Sequence, residues 1–158
     1  MGKLKLSLRW LVAGLLGFIL VIQFVPYGRA PTNPPVRAEP AWDNPRTREL
    51  AARACFDCHS NETVWPWYSN IAPASWLIQS DVNEGRRKLN FSEWDPRQEE
   101  AHESAKTLRN GEMPPWYYPW ARLSSRERQA LFQGLEETLG TERQTGKRGR
   151  GRAEDEHE

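Results

Sequence analysis

Cys55 and Cys58 are the only cysteines of the 158-residue chain, and His59 follows the second directly. Two thiols one helical turn apart can each form a thioether with a haem vinyl group. The imidazole on the next residue is then carried under the porphyrin, where it can bind the iron; this is the Cys-x-x-Cys-His pattern of c-type haem attachment. Without His59 the same thiols would suit a dithiol redox couple or half of a zinc site. The dithiol reading expects a βαβ context, which the sequence does not show. The zinc reading lacks an obvious fourth ligand. With both cysteines in the motif, no disulfide framework is left.

Met113 is the second residue with chemistry to offer. Met1 is the only other methionine, so Met113 stands alone in the body of the chain, 54 residues beyond His59 in Gly111-Glu112-Met113-Pro114-Pro115-Trp116-Tyr117-Tyr118-Pro119-Trp120. A residue before proline is held extended, which presents a flexible thioether from a restrained backbone. A thioether suits the sixth position of haem iron, and His/Met ligation raises the reduction potential. The competing role for a methionine is core gap-filler.

The elements around these residues are unusually aromatic. Residues 41–140 hold twelve Ile, Leu and Val against thirteen Trp, Tyr and Phe, with seven of the eight tryptophans. So few aliphatics make a thin core for about 100 residues, and a flat apolar cofactor would supply the missing interior. Trp65, Trp67 and Tyr68 are expected against the haem, with Trp116 and Tyr117 as further pocket residues. Their N–H and O–H groups could reach propionates or backbone carbonyls.

Helices are expected to carry the site. Asn44-Pro45 is a cap-and-proline start for a helix running into Cys55, with Leu50 and Ala54 inward. A second spans Ala74 to about Arg87, with Trp76, Leu77 and Val82 inward. At its end Arg86, Arg87 and Lys88 offer partners for propionates, but at least two of the three are expected to be a solvated helix end that favours cations. Asp95-Pro96 starts a third helix, which Asn110-Gly111 stops. His102 within it is a possible iron ligand, with a surface role the more ordinary expectation. The last helix begins at Ser124 with Glu127 three residues on, a capping box. Its packing side is Ala130, Leu131, Gly134, Leu135 and Leu139, and Gly140 should stop it. Gly134, disfavoured in a helix by about 1 kcal/mol against Ala, predicts close approach of another helix.

Charge is distributed unevenly. Residues 1–40 carry five Lys/Arg and one acidic residue, residues 41–140 twelve and fifteen, and residues 141–158 five of each. No region is basic enough for nucleic acid. Lys3, Lys5 and Arg9 precede an apolar run from Trp10 to Val25, broken among polar residues only by Gln23. About 16 residues is short for a bilayer span but can insert without tilt. A cleaved secretory signal is the alternative, but Gly28-Arg29-Ala30-Pro31 is a poor exit for it. The basic flank stays cytoplasmic and the remainder is exported. The expected organisation is thus a basic flank and single transmembrane anchor (1–25), a proline-rich extended linker standing the domain off the membrane (26–41), the domain (42–140) and a disordered charged tail (141–158).

Residues 42–139 resemble the small bacterial haem-binding domain family, membrane-anchored and related to monohaem cytochromes c. The resemblance is carried by Cys55-Phe56-Asp57-Cys58-His59-Ser60-Asn61-Glu62-Thr63 running into Trp65-Pro66-Trp67-Tyr68. It continues in Asp81-Val82-Asn83-Glu84-Gly85-Arg86-Arg87, in Leu89-Asn90-Phe91-Ser92-Glu93-Trp94 and in Gly111-Glu112-Met113-Pro114-Pro115-Trp116-Tyr117. It implies an all-α, cytochrome c-like domain wrapped around one covalent haem c per chain, attached at Cys55 and Cys58. His59 would be the proximal ligand and Met113 the distal one. The function expected is that of a non-enzymatic electron carrier of the bacterial inner membrane, facing the periplasm, served by the cytochrome c maturation machinery and an unidentified redox partner. A haem-based gas or peroxide sensor, with Met113 displaced and Tyr117, Tyr118 or His102 assisting, is the second expectation. A haem-free thiol protein is the third.

Overall fold

The computed structural model describes residues 2–29, 31–95, 98 and 101–154, with side chains only between 8 and 139. In chain order the α-helices are α1 (Gly2–Ile22), α2 (Pro45–Ala54), α3 (Phe56–His59), α4 (Ala74–Lys88), α5 (Ser104–Asn110) and α6 (Ser125–Glu154). Single 3-10 turns lie at Trp67–Asn70, Ala101–Glu103 and Pro119–Ala121. Among the described residues there is no strand, only an isolated parallel bridge between Ala38 and Glu93. The all-helical expectation holds. The chain divides into two compact units, one of Met1–Thr32 with Val64–Asn83 and one of Asn33–Thr63 with Glu84–Glu158.

In the first unit, α1 exposes apolar side chains around its circumference, from Trp10 through Leu11, Leu15, Leu16 and Phe18 to Val21. It ends at Ile22, before the end of the apolar run. Among the described residues no helix is long and apolar enough to cross a membrane, so the expected transmembrane anchor finds no support as a span. Gln23 is engaged rather than solvated: its Nε2 donates to the Ala72 carbonyl at 2.9 Å, and Ala72 N–H donates back to its Oε1 at 3.1 Å. Ile78 and Val82 are the buried face of this part of α4, while Leu77, expected inward, is exposed.

The second unit is built on the crossing of α2 and α6. Asn44 Oδ1 accepts from Thr47 N–H at 3.0 Å and Pro45 opens α2, as its sequence predicts. Ser124 and Glu127 form the capping box at the start of α6, with Ser124 N–H donating to Glu127 Oε2 at 2.9 Å. Leu131, Gly134, Leu135 and Thr138 form the buried stripe of α6, at helical spacing; Ala130 is exposed instead. At Gly134 a Cβ would lie 2.0 Å from Thr47 Oγ1 and 2.8 Å from Thr47 Cβ, so only glycine allows this approach of α2. Leu50, Ala51, Phe56, Leu89, Phe91, Ala105, Leu108, Leu131 and Leu135 pack into one core. Phe91 joins Trp42 at 5.4 Å, Phe56 at 5.7 Å and Trp94 at 5.7 Å between ring centroids.

Three expectations are corrected. The stretch after Thr32 is extended but not free: Arg37 N–H donates to Ser92 O at 2.8 Å, Trp94 N–H to Ala38 O at 3.0 Å, and Arg48 clasps Glu39 with bonds of 2.6 and 2.7 Å. Prolines keep it extended, and the backbone groups of Pro35, Arg37 and Ala38 find partners outside it. The third helix is shorter than expected. Its predicted start at Pro96 lies outside the described residues, and the α-helix begins at Ser104. Finally, α6 does not stop at Gly140 but continues to Glu154 through Gly140, Gly146, Gly149 and Gly151; each glycine disfavours a helix without terminating one that is already established.

Candidate functional site

The Cys-x-x-Cys-His stretch sits where α2 breaks. Cys55 has φ −124° and ψ −35°, outside the helical basin, yet its N–H still donates to Ala51 O at 2.8 Å. The chain then makes the single turn α3, with His59 N–H donating to Cys55 O at 2.9 Å. This turn carries Cys55 and His59 to the wall of a cavity of about 270 Å³ within the second unit. Met113 reaches the same cavity from the loop after α5. Leu89, Phe91, Leu108 and Leu135 give it an apolar lining.

His59 is held through one ring nitrogen. Its Nδ1 lies 3.1 Å from Gly85 O and 3.1 Å from Leu89 O. A carbonyl can only accept, so Nδ1 carries the proton and the lone pair is left on Nε2. Burial keeps the imidazole pKa below its ordinary value, opposed by the two carbonyls and assisted by Lys88. The ring is therefore a neutral donor at neutral pH. The Cys55 thiol is pushed up to about 12, by burial first and by Cys58 second. Neither cysteine is in a disulfide.

Gly85 explains how α4 comes so near. A Cβ there would meet Cys58 O at 2.4 Å, Cys58 C at 2.9 Å and Cys58 Cβ at 3.1 Å. The helix backbone thus lies directly on the motif, and Cys58 faces it. Cys58 is not among the residues lining the cavity.

Residues for which the sequence reading gave no role fasten the far end of the motif. Ser60, Asn61 and Thr63 are buried. Ser60 Oγ donates to Phe56 O at 2.8 Å, Thr63 Oγ1 to Asp57 O at 2.9 Å, and Asn61 Nδ2 to Pro35 O at 3.0 Å. Asn90 Nδ2 donates to Asn61 Oδ1 at 3.0 Å, and Asn61 N–H to Ser92 Oγ at 2.9 Å. Short polar side chains clustered beside a reactive motif, able to bond to nearby backbone, were the signal available. Arg86 donates to Ser60 O at 2.8 Å and Thr63 Oγ1 at 3.0 Å. Arg87 and Lys88 pair with Glu84 at 3.5 and 3.0 Å, and Lys88 also lines the cavity.

On the opposite side, Gly111 turns the chain out of α5 at φ +76°, and the Met113–Pro114 peptide is cis. Arg128 Nη1 donates to Leu108 O at 3.0 Å and Met113 O at 3.2 Å. Met113 is 39 % exposed. The expected aromatic pocket is placed differently. Trp116 is 81 % exposed, and both it and Tyr117 stand outside the cavity lining, packed edge to face at 5.7 Å. Trp65, Trp67 and Tyr68 belong to the first unit. His102 lies 3.3 Å from Glu103 and lines a different cavity, with Phe132 and Leu139. Among the described residues no group of three or more His, Cys, Asp or Glu could hold a metal ion.

The chain matches the family model described as a haem-binding domain over residues 17–137. It belongs to that family. No curated protein and no solved structure matches it. The match begins inside α1, so the haem-binding domain takes in part of the first unit as well as the whole cavity. Three of the four expected donors of this haem-binding domain fit such a cofactor: the His59 imidazole with its lone pair on Nε2, the Met113 thioether and the Cys55 thiol line one largely apolar cavity. The Cys58 thiol stands outside the lining of that cavity. Its volume falls just below the ordinary range for ligand sites.

Proposed function

We propose that this haem-binding domain is a membrane-tethered carrier of single electrons, exported to the periplasmic side, with covalent haem c joined to Cys55 and Cys58. His59 Nε2 and the Met113 sulfur would be the protein's two ligands to its iron. The observation that carries the reading is that His59 and Met113 line one cavity while Gly85 and Leu89 fix the His59 tautomer. When bound, haem supplies a one-electron iron couple. The protein's part is to hold both donors, to exclude water with Leu89, Phe91, Leu108 and Leu135, and to raise the potential through a thioether ligand and a low-dielectric wall. One electron enters from a donor and one leaves to an acceptor, so no substrate is required at the metal. Export by the apolar N-terminus is the sequence expectation, and the lipid-compatible surface of α1 supports tethering.

The test is haem extraction. Protein made in cells able to mature cytochromes c should retain its haem through denaturation and acid-solvent extraction; haem lost in the solvent would overturn covalent attachment. Met113→Ala should abolish the low-spin six-coordinate spectrum and lower the potential.

The exposure of Met113 favours one second reading, a sensor in which a diatomic gas or peroxide displaces it. Carbon monoxide decides between them. A carrier with both positions filled binds it slowly or not at all at neutral pH, whereas rapid binding selects the sensor.

A further inference from the structure

Two stretches of the chain carry no charged side chain: the nineteen residues from Trp10 to Gly28 and the seventeen from Val64 to Ser80. In a chain that is 27 % charged, both are conspicuous, and both fall in the first unit. They are fastened to each other. Gln23 and Ala72 exchange two hydrogen bonds of 2.9 and 3.1 Å. Gly28 then passes so near the start of α4 that a Cβ on it would lie 2.5 Å from Ser75 O. The segment around Ala72 is therefore bound to the end of the apolar run.

That segment presents apolar side chains outward. Trp67 is 82 % exposed and Val64 77 %, with Ile71 and Leu77 also exposed; on the adjoining chain Phe24 is 86 % exposed and Tyr27, three residues on, is also exposed. Scattered exposed apolar residues need no explanation, but here they are gathered on two charge-free stretches that are bonded to each other, which favours an interaction surface. The length of the apolar run points to its partner. Sixteen residues, even if helical throughout, span about 24 Å at 1.5 Å each, short of a hydrocarbon core of about 30 Å. A short apolar segment draws its flanks toward the bilayer and thins the bilayer around it. The flank at this exit is Tyr27 and, through the Gln23–Ala72 bonds at the end of the run, the Trp67–Leu77 segment. Tryptophan and tyrosine are the residues favoured at that depth.

We infer that Val64–Leu77 is a second membrane contact, with Trp67 seated in the bilayer interface and Gln23 setting its place relative to α1. The inference rests on the tethering reading above. It replaces a domain standing off on a free linker with a first unit lying on the lipid.

Depth-dependent quenching tests it. The full-length, haem-loaded chain is reconstituted into vesicles of phosphatidylethanolamine and phosphatidylglycerol, with and without bromine on the acyl chains close to the headgroups. Wild type, Trp10→Phe and Trp67→Phe are compared, with an unchanged haem spectrum as the check on folding. Each substitution should remove part of the bromine-quenched tryptophan emission. If Trp10→Phe removes its share and Trp67→Phe removes none, the tether stands and the inference is overturned, leaving the segment to face a protein partner. If neither removes any, the tethering reading fails and the inference with it.

Discussion

On the His59 side of the cavity, side chains and backbone hold one another from several directions. Gly85 and Leu89 share the imidazole proton, Arg86 and Ser60 secure the turn after it, and Asn61, Thr63, Asn90 and Ser92 tie that turn to neighbouring chain. On the Met113 side, a left-handed glycine, a proline and the Arg128 guanidinium hold a loop whose methionine stays 39 % exposed. The first side is fixed by the protein's own bonds; the second has room to adjust. Substitutions on the first should therefore register in folding and haem loading, and those on the second in the properties of the loaded protein.

Gly85→Ala should show the largest effect. Alanine is the better helix former by about 1 kcal/mol, but its Cβ would stand 2.4 Å from the Cys58 carbonyl oxygen, and backbone cannot step aside. Overpacking of this kind costs about 1–3 kcal/mol, and the displaced α4 takes the Gly85 and Leu89 carbonyls away from His59. Urea denaturation together with haem per chain should show lower stability and poorer loading. A variant as stable and as fully loaded as wild type would mean that the close approach is dispensable.

Arg86→Met comes next. It keeps the stem and removes the donors to Ser60 O and Thr63 Oγ1, leaving buried acceptors unsatisfied at a cost of about 1–3 kcal/mol. Arg86→Lys should recover only part of it, since a point charge cannot span two acceptors as a fork does. Full recovery by lysine would reduce Arg86 to a local charge and weaken the contrast between the two sides.

The candidate residues stood out by type and spacing, Cys55, Cys58 and His59 as a motif and Met113 by its isolation before a proline, and the fold brings Cys55, His59 and Met113 to one cavity. Caps were legible for the same local reason, at Asn44 and at Ser124 with Glu127. Gly134 announced a close helix approach, and the likeness to cytochromes c pointed to residues 45–54 as its partner. Gly85 did not announce its contact, because a helix glycine names no partner until the fold brings Cys58 to it. The aromatic wall was misread because composition cannot say which ring meets which. Trp42 and Trp94 stack on Phe91 in the core, while Trp116 faces solvent. The stretch after Thr32 looked like linker because its bonds run through backbone and reach residues about 55 positions away.

Arg128→Gln probes the softer side. Glutamine keeps a donor but shortens its reach, so Leu108 O and Met113 O lose the group that links them, at about 0.5–1.5 kcal/mol. The fold should change little. The loaded protein should show a mixture of six- and five-coordinate spectra, shifting toward six-coordinate on cooling. A uniform wild-type spectrum would show that the glycine turn and Pro114 suffice to place the thioether.

Glu127 gives the smallest effect and returns to the frame of the rigid side, since it links the start of α6 to α2 two residues before Cys55. Its carboxylate is 2.5 Å from Arg53 and accepts from Ser124, and these partners hold its pKa at about 2, below the usual 4.5. A depressed carboxylate stabilises the fold above its unfolded pKa, and that contribution disappears as pH falls from about 4.5 through about 2. The group is solvent-exposed, so salt screens it and the amount is small. Glu127→Gln retains the capping geometry while removing the charge. Thermal midpoints of the two proteins should differ at neutral pH, converge as the solution is acidified toward pH 2, and lie closer at high salt at every pH. A difference that persists unchanged at pH 2 would assign Glu127 to hydrogen bonding alone and leave Arg53 without a part in holding α2 to α6.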